Sequence, residues 1–206
     1  MKKVLFFCFI ILSNIGYSQS NWQRFKKLSC AEKTWTIFHV FKAKKALKIA
    51  KEAQHVADSI AKTPLLDGDK SGGQVDAFRH AYWMMRLKQE VGEKAARSLG
   101  KAHERDNYIT FKKNKKEDGV VPDKISSEMD LYNNEEGLKL ISKKSKLTRK
   151  AIINRVVIAI RRGKFMVVKK DSQGDFLNCS GEKLSKKEVL GKWKNDKCLE
   201  KSNYVY

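Results

Sequence analysis

Beyond its first twenty residues the sequence has no apolar run long enough to cross a bilayer. It has no CxxC pair, which excludes a zinc ribbon or a thioredoxin-type site, and no HExxH, the helical zinc motif of metalloproteases. An aromatic-interleaved basic motif of the RNA-binding kind is missing, as is any internal repeat. Acidic residues are scarce: 23 Asp and Glu stand against 44 Lys and Arg, a net charge of +21. That excess fits an anionic partner (phospholipid, glycan or nucleic acid) or simply a solvated lysine-rich surface.

What is present begins with "MKKVLFFCFIILSNIGYSQS". Lys2 and Lys3 precede an apolar stretch from Val4 to Leu12 and a small-residue site near Ser18, the layout of an export leader over residues 1–18. Cys30 lies too far downstream for lipoprotein processing. The expectation is an exported chain, periplasmic or secreted, with enough residues after cleavage for one sizeable core. In an oxidising compartment Cys179 and Cys198 are the favoured disulfide pair among the three connectivities open to Cys30, Cys179 and Cys198.

The remaining pattern is mainly helical. Ala46, Ile49, Ala50, Ala53, Val56, Ala57 and Ile60 form an apolar stripe over residues 43 to 62, opposite Lys44, Lys48, Lys51 and His55. Trp35, Ile37, Phe38 and Phe41 read as a hydrophobic plug ahead of it. A helix follows Gly73 to about Glu90, and another runs from Gly92 to about Asp106. A polar loop then leads to Pro122, and Asp123 caps a helix to about Ser142. Leu147 to Arg162 is the last helix, stopped by Gly163. "KFMVVKKDSQGDFLNCSG" reads as two short strands around Ser172-Gln173-Gly174. The expected fold is mainly α: a helical bundle over residues 19–163 with a small C-terminal β-hairpin appendage over 164–206.

Ionisable residues intrude on the apolar helices. Asp76 and His80 are one turn apart on a stripe shared with Trp83 and Leu87, and Arg79 falls on a neighbouring stripe with Arg86 and Glu90. In the next helix His103 sits on the face of Ala95, Ala96, Leu99 and Ala102, with Glu104 a quarter-turn away towards Arg97 and Asp106 inward. The helix after Asp123 carries Ser126, Asp130, Asn133, Asn134 and Gly137 on one stripe, poor core material without polar partners. Asp76, His80, His103 and Asp130 could ligate a divalent metal between facing helices. They could equally serve a metal-free acid–base site, or an internal network that fixes helix register. His55 reads as a surface residue and His39 as a satisfied core or cap histidine. "DGDKSGG" matches calcium-loop positions one, three, five and six at Asp67, Asp69, Ser71 and Gly72, but position twelve is Phe78. It reads as a cap for the following helix.

"DAFRHAYW" (76–83), "GKAHE" (100–104) and "MDLYNNEEG" (129–137), in that order, resemble an uncharacterised bacterial domain family of exported proteins, with related domains at the ends of polymorphic-toxin-like proteins. The resemblance implies a mostly helical domain and singles out Asp76, Arg79, His80, His103, Glu104, Asp130, Asn133 and Asn134. The toxin association points by analogy to a hydrolase acting outside the cytoplasm. The leading reading is a metal-assisted hydrolase of an anionic, phosphate-containing substrate. Asp76, His80, His103 and Asp130 hold the metal, Glu104 with His80 and His103 does the acid–base work, and Arg79, Asn133 and Asn134 bind substrate. The competing reading is a non-enzymatic basic envelope or secreted binding protein whose Asp/His/Asn cluster is structural.

Overall fold

The computed structural model describes residues 28–113, 121–143 and 145–204, with Gln23, Phe25 and Lys26 ahead of them. The expected leader lies outside the described residues. Seven helices and two strands follow in chain order: α1 (Cys30–Phe38), α2 (Val40–Ile60), α3 (Gln74–Val91), α4 (Glu93–Lys112), α5 (Lys124–Lys139), α6 (Arg149–Arg161), β1 (Met166–Val168), α7 (Lys186–Val189) and β2 (Leu199–Lys201). The protein is mainly α with a small C-terminal antiparallel sheet. No helix among the described residues is long and apolar enough to cross a membrane.

Helix α3 is the axis of the bundle. It packs against α2, α4, α5 and α6 and touches β1. Burial on nearly every side explains why its sequence has apolar residues around most of its circumference instead of one stripe. Its start is built by the preceding loop. Asp67 accepts hydrogen bonds from Gln74 N at 2.7 Å and Asp69 N at 2.9 Å, and Asp69 accepts from Ser71 N at 2.9 Å. The acidic loop residues therefore cap and shape the turn, as their spacing suggests. Burial raises the Asp67 carboxyl above its ordinary range, with neighbouring Asp69 adding to the effect.

Helix α5 can lie close to α3 because Gly137 has no side chain: a Cβ there would come within 2.7 Å of Ala81 Cα. Asp123 caps α5 through Ser126 N at 2.8 Å, as read from the sequence. Three expectations change. Ile37, Phe38 and Phe41 are exposed and only Trp35 enters the core, so there is no hydrophobic plug. A capping box formed by Ser29 and Glu32 starts a separate helix, α1, which breaks at His39. Helix α4 continues past Asp106 to Lys112, because Asn107 adds a further buried position beyond Asp106.

The C-terminal sheet pairs β1 with a partner thirty residues away, in the register Met166↔Lys201, Val167↔Glu200, Val168↔Leu199. The turn at Asp171–Gly174 forms, with Gly174 N donating to Asp171 O at 2.9 Å, but only a single bridge, Lys170↔Phe176, flanks it. Cys179 and Cys198 are disulfide-bonded, as expected, and Cys30 is free and exposed. The C-terminal segment is tied to the starts of both central helices. Val168 N donates to Gly72 O at 2.7 Å ahead of α3, and the ammonium of buried Lys170 binds Asp69 and Ser71 O in the same loop. Ahead of α5, buried Lys197 donates to Asp123 at 2.6 Å.

Candidate functional site

His80 points from α3 towards α5 and is fully buried. Its Nδ1 lies 3.1 Å from Asn134 Oδ1, and its Nε2 lies 3.2 Å from Asp130 Oδ1 and 3.7 Å from Asp76 Oδ1. An amide oxygen can only accept, so Nδ1 carries the proton and Nε2 presents its lone pair in the neutral ring. Burial first, then the positive charges of Arg79 and His103, hold the imidazole well below the usual histidine range. The ring is therefore neutral near pH 7, and its Nε2 lies among two carboxylates and the Arg79 guanidinium, which donates to it at 2.9 Å.

One nitrogen or oxygen from each of Asp76, His80 and Asp130 lies within 4.8 Å of the other two, and all three residues are buried. Among the described residues this is the cluster with metal-ligand geometry. Two carboxylates and one imidazole, with Asn134 bonded to the ring's other nitrogen, are a donor set that could hold a divalent ion. Mixed nitrogen and oxygen donors suit Zn²⁺ or Mn²⁺ better than Ca²⁺.

Arg79 folds onto the same cluster, correcting its assignment to a separate helix edge. Its Nη2 donates to Asp76 Oδ1 at 2.7 Å and to His80 Nε2 at 2.9 Å, and its Nε reaches Asp76 Oδ1 at 3.2 Å. A long side chain bends across a helical stripe that a Cβ position alone would not cross. On its far side Arg79 lines a cavity of about 380 Å³ together with Gln54, Asp69, Lys70 and Ser71.

The other candidates divide. His103 stays outside the Asp76–His80–Asp130 group. Its ring packs edge-on to Trp83 at 5.6 Å, and its Nδ1 lies 3.6 Å from Glu32 of α1. The arrival of α1, which the helical wheel does not show, draws it there. Glu104 is buried and accepts from Asn107 Nδ2 at 2.8 Å, while Arg97 pairs with Glu93 and Glu135. Asn133 is turned to β1, donating to Met166 O and accepting from Met166 N, both at 2.9 Å. His55 is exposed, and His39 bonds Trp35 O at 2.9 Å while stacking on the Trp35 ring.

Three positions near the cluster's helices went unread in the sequence. Ser127 is buried one turn before Asp130, and Asn107 is buried one turn after Glu104. Both offered the i,i+3 spacing that marks a shared face. Gly100 is the third: a Cβ there would sit 3.3 Å from Asn134 Nδ2, so the glycine leaves room for the amide that orients His80.

No curated protein and no solved structure matches the chain. A family model matches residues 33–164, more than half of the chain and the span that carries every residue of the cluster. The chain belongs to the family described as a domain of unknown function, DUF6973.

Proposed function

We propose that the domain binds a divalent cation through Asp76, His80 and Asp130 and uses it to hydrolyse a phosphate-containing, anionic substrate. The observation that carries this reading is the convergence of the Nε2 of a neutral, buried His80 with the carboxylates of Asp76 and Asp130, one donor atom from each within 4.8 Å of the others. The cation would polarise the substrate and activate water. Arg79, already bridging the cluster and the cavity, would hold the substrate's anionic group. Glu104, buried one turn beyond Gly100, would be the general base. The likeness of the motifs to domains of polymorphic-toxin-like proteins supports hydrolysis by analogy. The disulfide supports an exported protein acting outside the cytoplasm.

Elemental analysis of the purified chain and calorimetric titration with Mn²⁺ and Zn²⁺ test the site, and bis(p-nitrophenyl) phosphate tests the chemistry. Asp76→Asn, His80→Gln and Asp130→Asn should each lose cation binding and turnover together. A chain that neither retains nor takes up either ion, with turnover unaffected by chelation, overturns the proposal.

One contact favours the competing reading of a basic binding protein with a structural cluster. The Arg79 guanidinium already lies on both Asp76 and His80, supplying positive charge without a metal. On that reading His80→Gln lowers stability alone and leaves binding to an anionic partner intact.

A further inference from the structure

The elbow between α1 and α2 exposes large apolar side chains in an order the core does not need. Phe41 is 98 % exposed, Phe38 80 %, Ile37 65 % and Val40 63 %. A soluble surface carries scattered apolar residues, but four large ones within five positions at one projecting corner mark an interaction site.

The elbow is held firmly from behind. Trp35 is buried, and its Nε1 donates to Ser98 Oγ at 2.9 Å and to Ala95 O at 3.1 Å. The His39 ring stacks on Trp35 with its Nδ1 2.9 Å from Trp35 O, while His39 O accepts from Lys42 N and Ala43 N. Turning Trp35 inward while the chain breaks at His39 directs the residues on either side of the break outward.

The charge along this stretch of the chain has one sign. From Lys33 to Lys51 there is no Asp or Glu, and the stretch holds Lys33, Lys42, Lys44, Lys45, Lys48 and Lys51. On α2, Lys44, Lys45 and Lys48 fall within about 60° of Phe41 by helical geometry. Lys42, Lys44, Lys45 and Lys48 are exposed, and of these Lys45 reaches Glu90 at 3.3 Å.

We propose that the α1–α2 elbow is a membrane-surface anchor, in which Ile37, Phe38, Val40 and Phe41 enter the headgroup boundary of an anionic bilayer and the lysines of α2 meet the lipid phosphates. An apolar tip backed by a cationic band is the combination that peripheral anchoring requires, since neither apolar insertion nor charge alone holds a protein there well. Charge decides against a second copy as the occupant, because self-association through this corner would set two lysine bands against each other. The inference does not depend on the proposed cation site, whose residues lie on α3 and α5.

The test is co-sedimentation of the full chain with vesicles of phosphatidylcholine, with and without phosphatidylglycerol. Binding is expected to the anionic vesicles and to weaken as salt is raised. The F38S/F41S variant should lower partitioning about tenfold or more per phenylalanine withdrawn. The K42Q/K44Q/K48Q variant, which leaves the apolar tip in place and decides the matter should F38S/F41S misfold, should lower it roughly fivefold per lysine. Unchanged vesicle binding by a folded F38S/F41S chain overturns the proposal. So does a wild-type dimer in sedimentation velocity that this variant converts to monomer.

Discussion

Asn134 Oδ1 faces His80 Nδ1 at 3.1 Å across the α3–α5 interface. The contact fixes the ring from the side opposite the carboxylates and leaves Nε2 as the basic nitrogen. Asn134→Leu leaves the buried Nδ1–H without its acceptor and should shift the proton towards Nε2, beside Asp130, against the Arg79 donation that favours Nδ1–H. Nitrogen chemical shifts of the His80 ring should show one tautomer in the wild type and a mixture in the variant. At the proposed cation site the same change should weaken Mn²⁺ binding by about ten- to a hundredfold, read by calorimetry.

The approach that permits this contact rests on Gly137. A methyl group there would raise intrinsic helix propensity by about 1 kcal/mol, but it would lie 2.7 Å from Ala81 Cα and 2.9 Å from Ala81 O. Backbone cannot yield as a side chain can, so the helices must separate. Gly137→Ala is expected to lose about 1–3 kcal/mol in urea unfolding despite the better propensity.

Gly137 also shows what the sequence made legible. Its stripe with Asp130, Asn133 and Asn134 is visible at helical spacing, because small and polar residues on one face signal a close, hydrogen-bonded neighbour. The Asp76–His80 pairing and the caps at Asp67 and Asp123 are legible for the same reason, being local in the chain. What escapes is whatever a distant element decides. Helix α1 draws His103 to Glu32, strand β1 engages Asn133, and the flexibility of Arg79 lets it cross between stripes. The partner of β1 was misplaced because the nearest turn signal, at Ser172–Gly174, competes with a ladder that closes thirty residues later. Trp35 and Phe38 look alike in composition, and only the packing of α1 against α4 separates the buried ring from the exposed one.

Glu32 gives a pH dependence with a definite sign. The nearby His103 ring, together with bonds from Ser29, outweighs burial and holds the carboxyl below its ordinary 4.5. The stabilisation is therefore complete above about pH 4.5 and is lost as pH falls through the depressed value. Glu32→Gln retains an acceptor for the Ser29 cap but cannot titrate. The difference in urea midpoint between wild type and variant should shrink as pH falls below 4.5.

The disulfide closes a loop between positions separated by 19 residues. Chain-entropy arguments assign such a closure about 3 kcal/mol. Cys179→Ser with Cys198→Ser should lower the melting temperature accordingly. Reducing agent should reproduce that loss in the wild type and leave the double variant unchanged.

Lys197, next to that disulfide, carries the most informative test of how the C-terminal segment supports the site helices. Its ammonium donates to Asp123 at 2.6 Å and lies 3.9 Å from the centre of the Phe176 ring, with both charged side chains buried. Asp123 also caps α5, four residues before Ser127 and one turn further from Asp130. Lys197→Met would leave the carboxylate buried without its partner and should cost about 3–5 kcal/mol. Asp123→Asn keeps an oxygen to accept from Ser126 N while removing the charge, so adding it to Lys197→Met should recover most of that loss. Urea unfolding of wild type, both single variants and the double variant closes the cycle, and a coupling above about 1 kcal/mol identifies an ion pair acting as a unit. Near-additive losses would mean instead that Lys197 matters through its stem packed on Phe176.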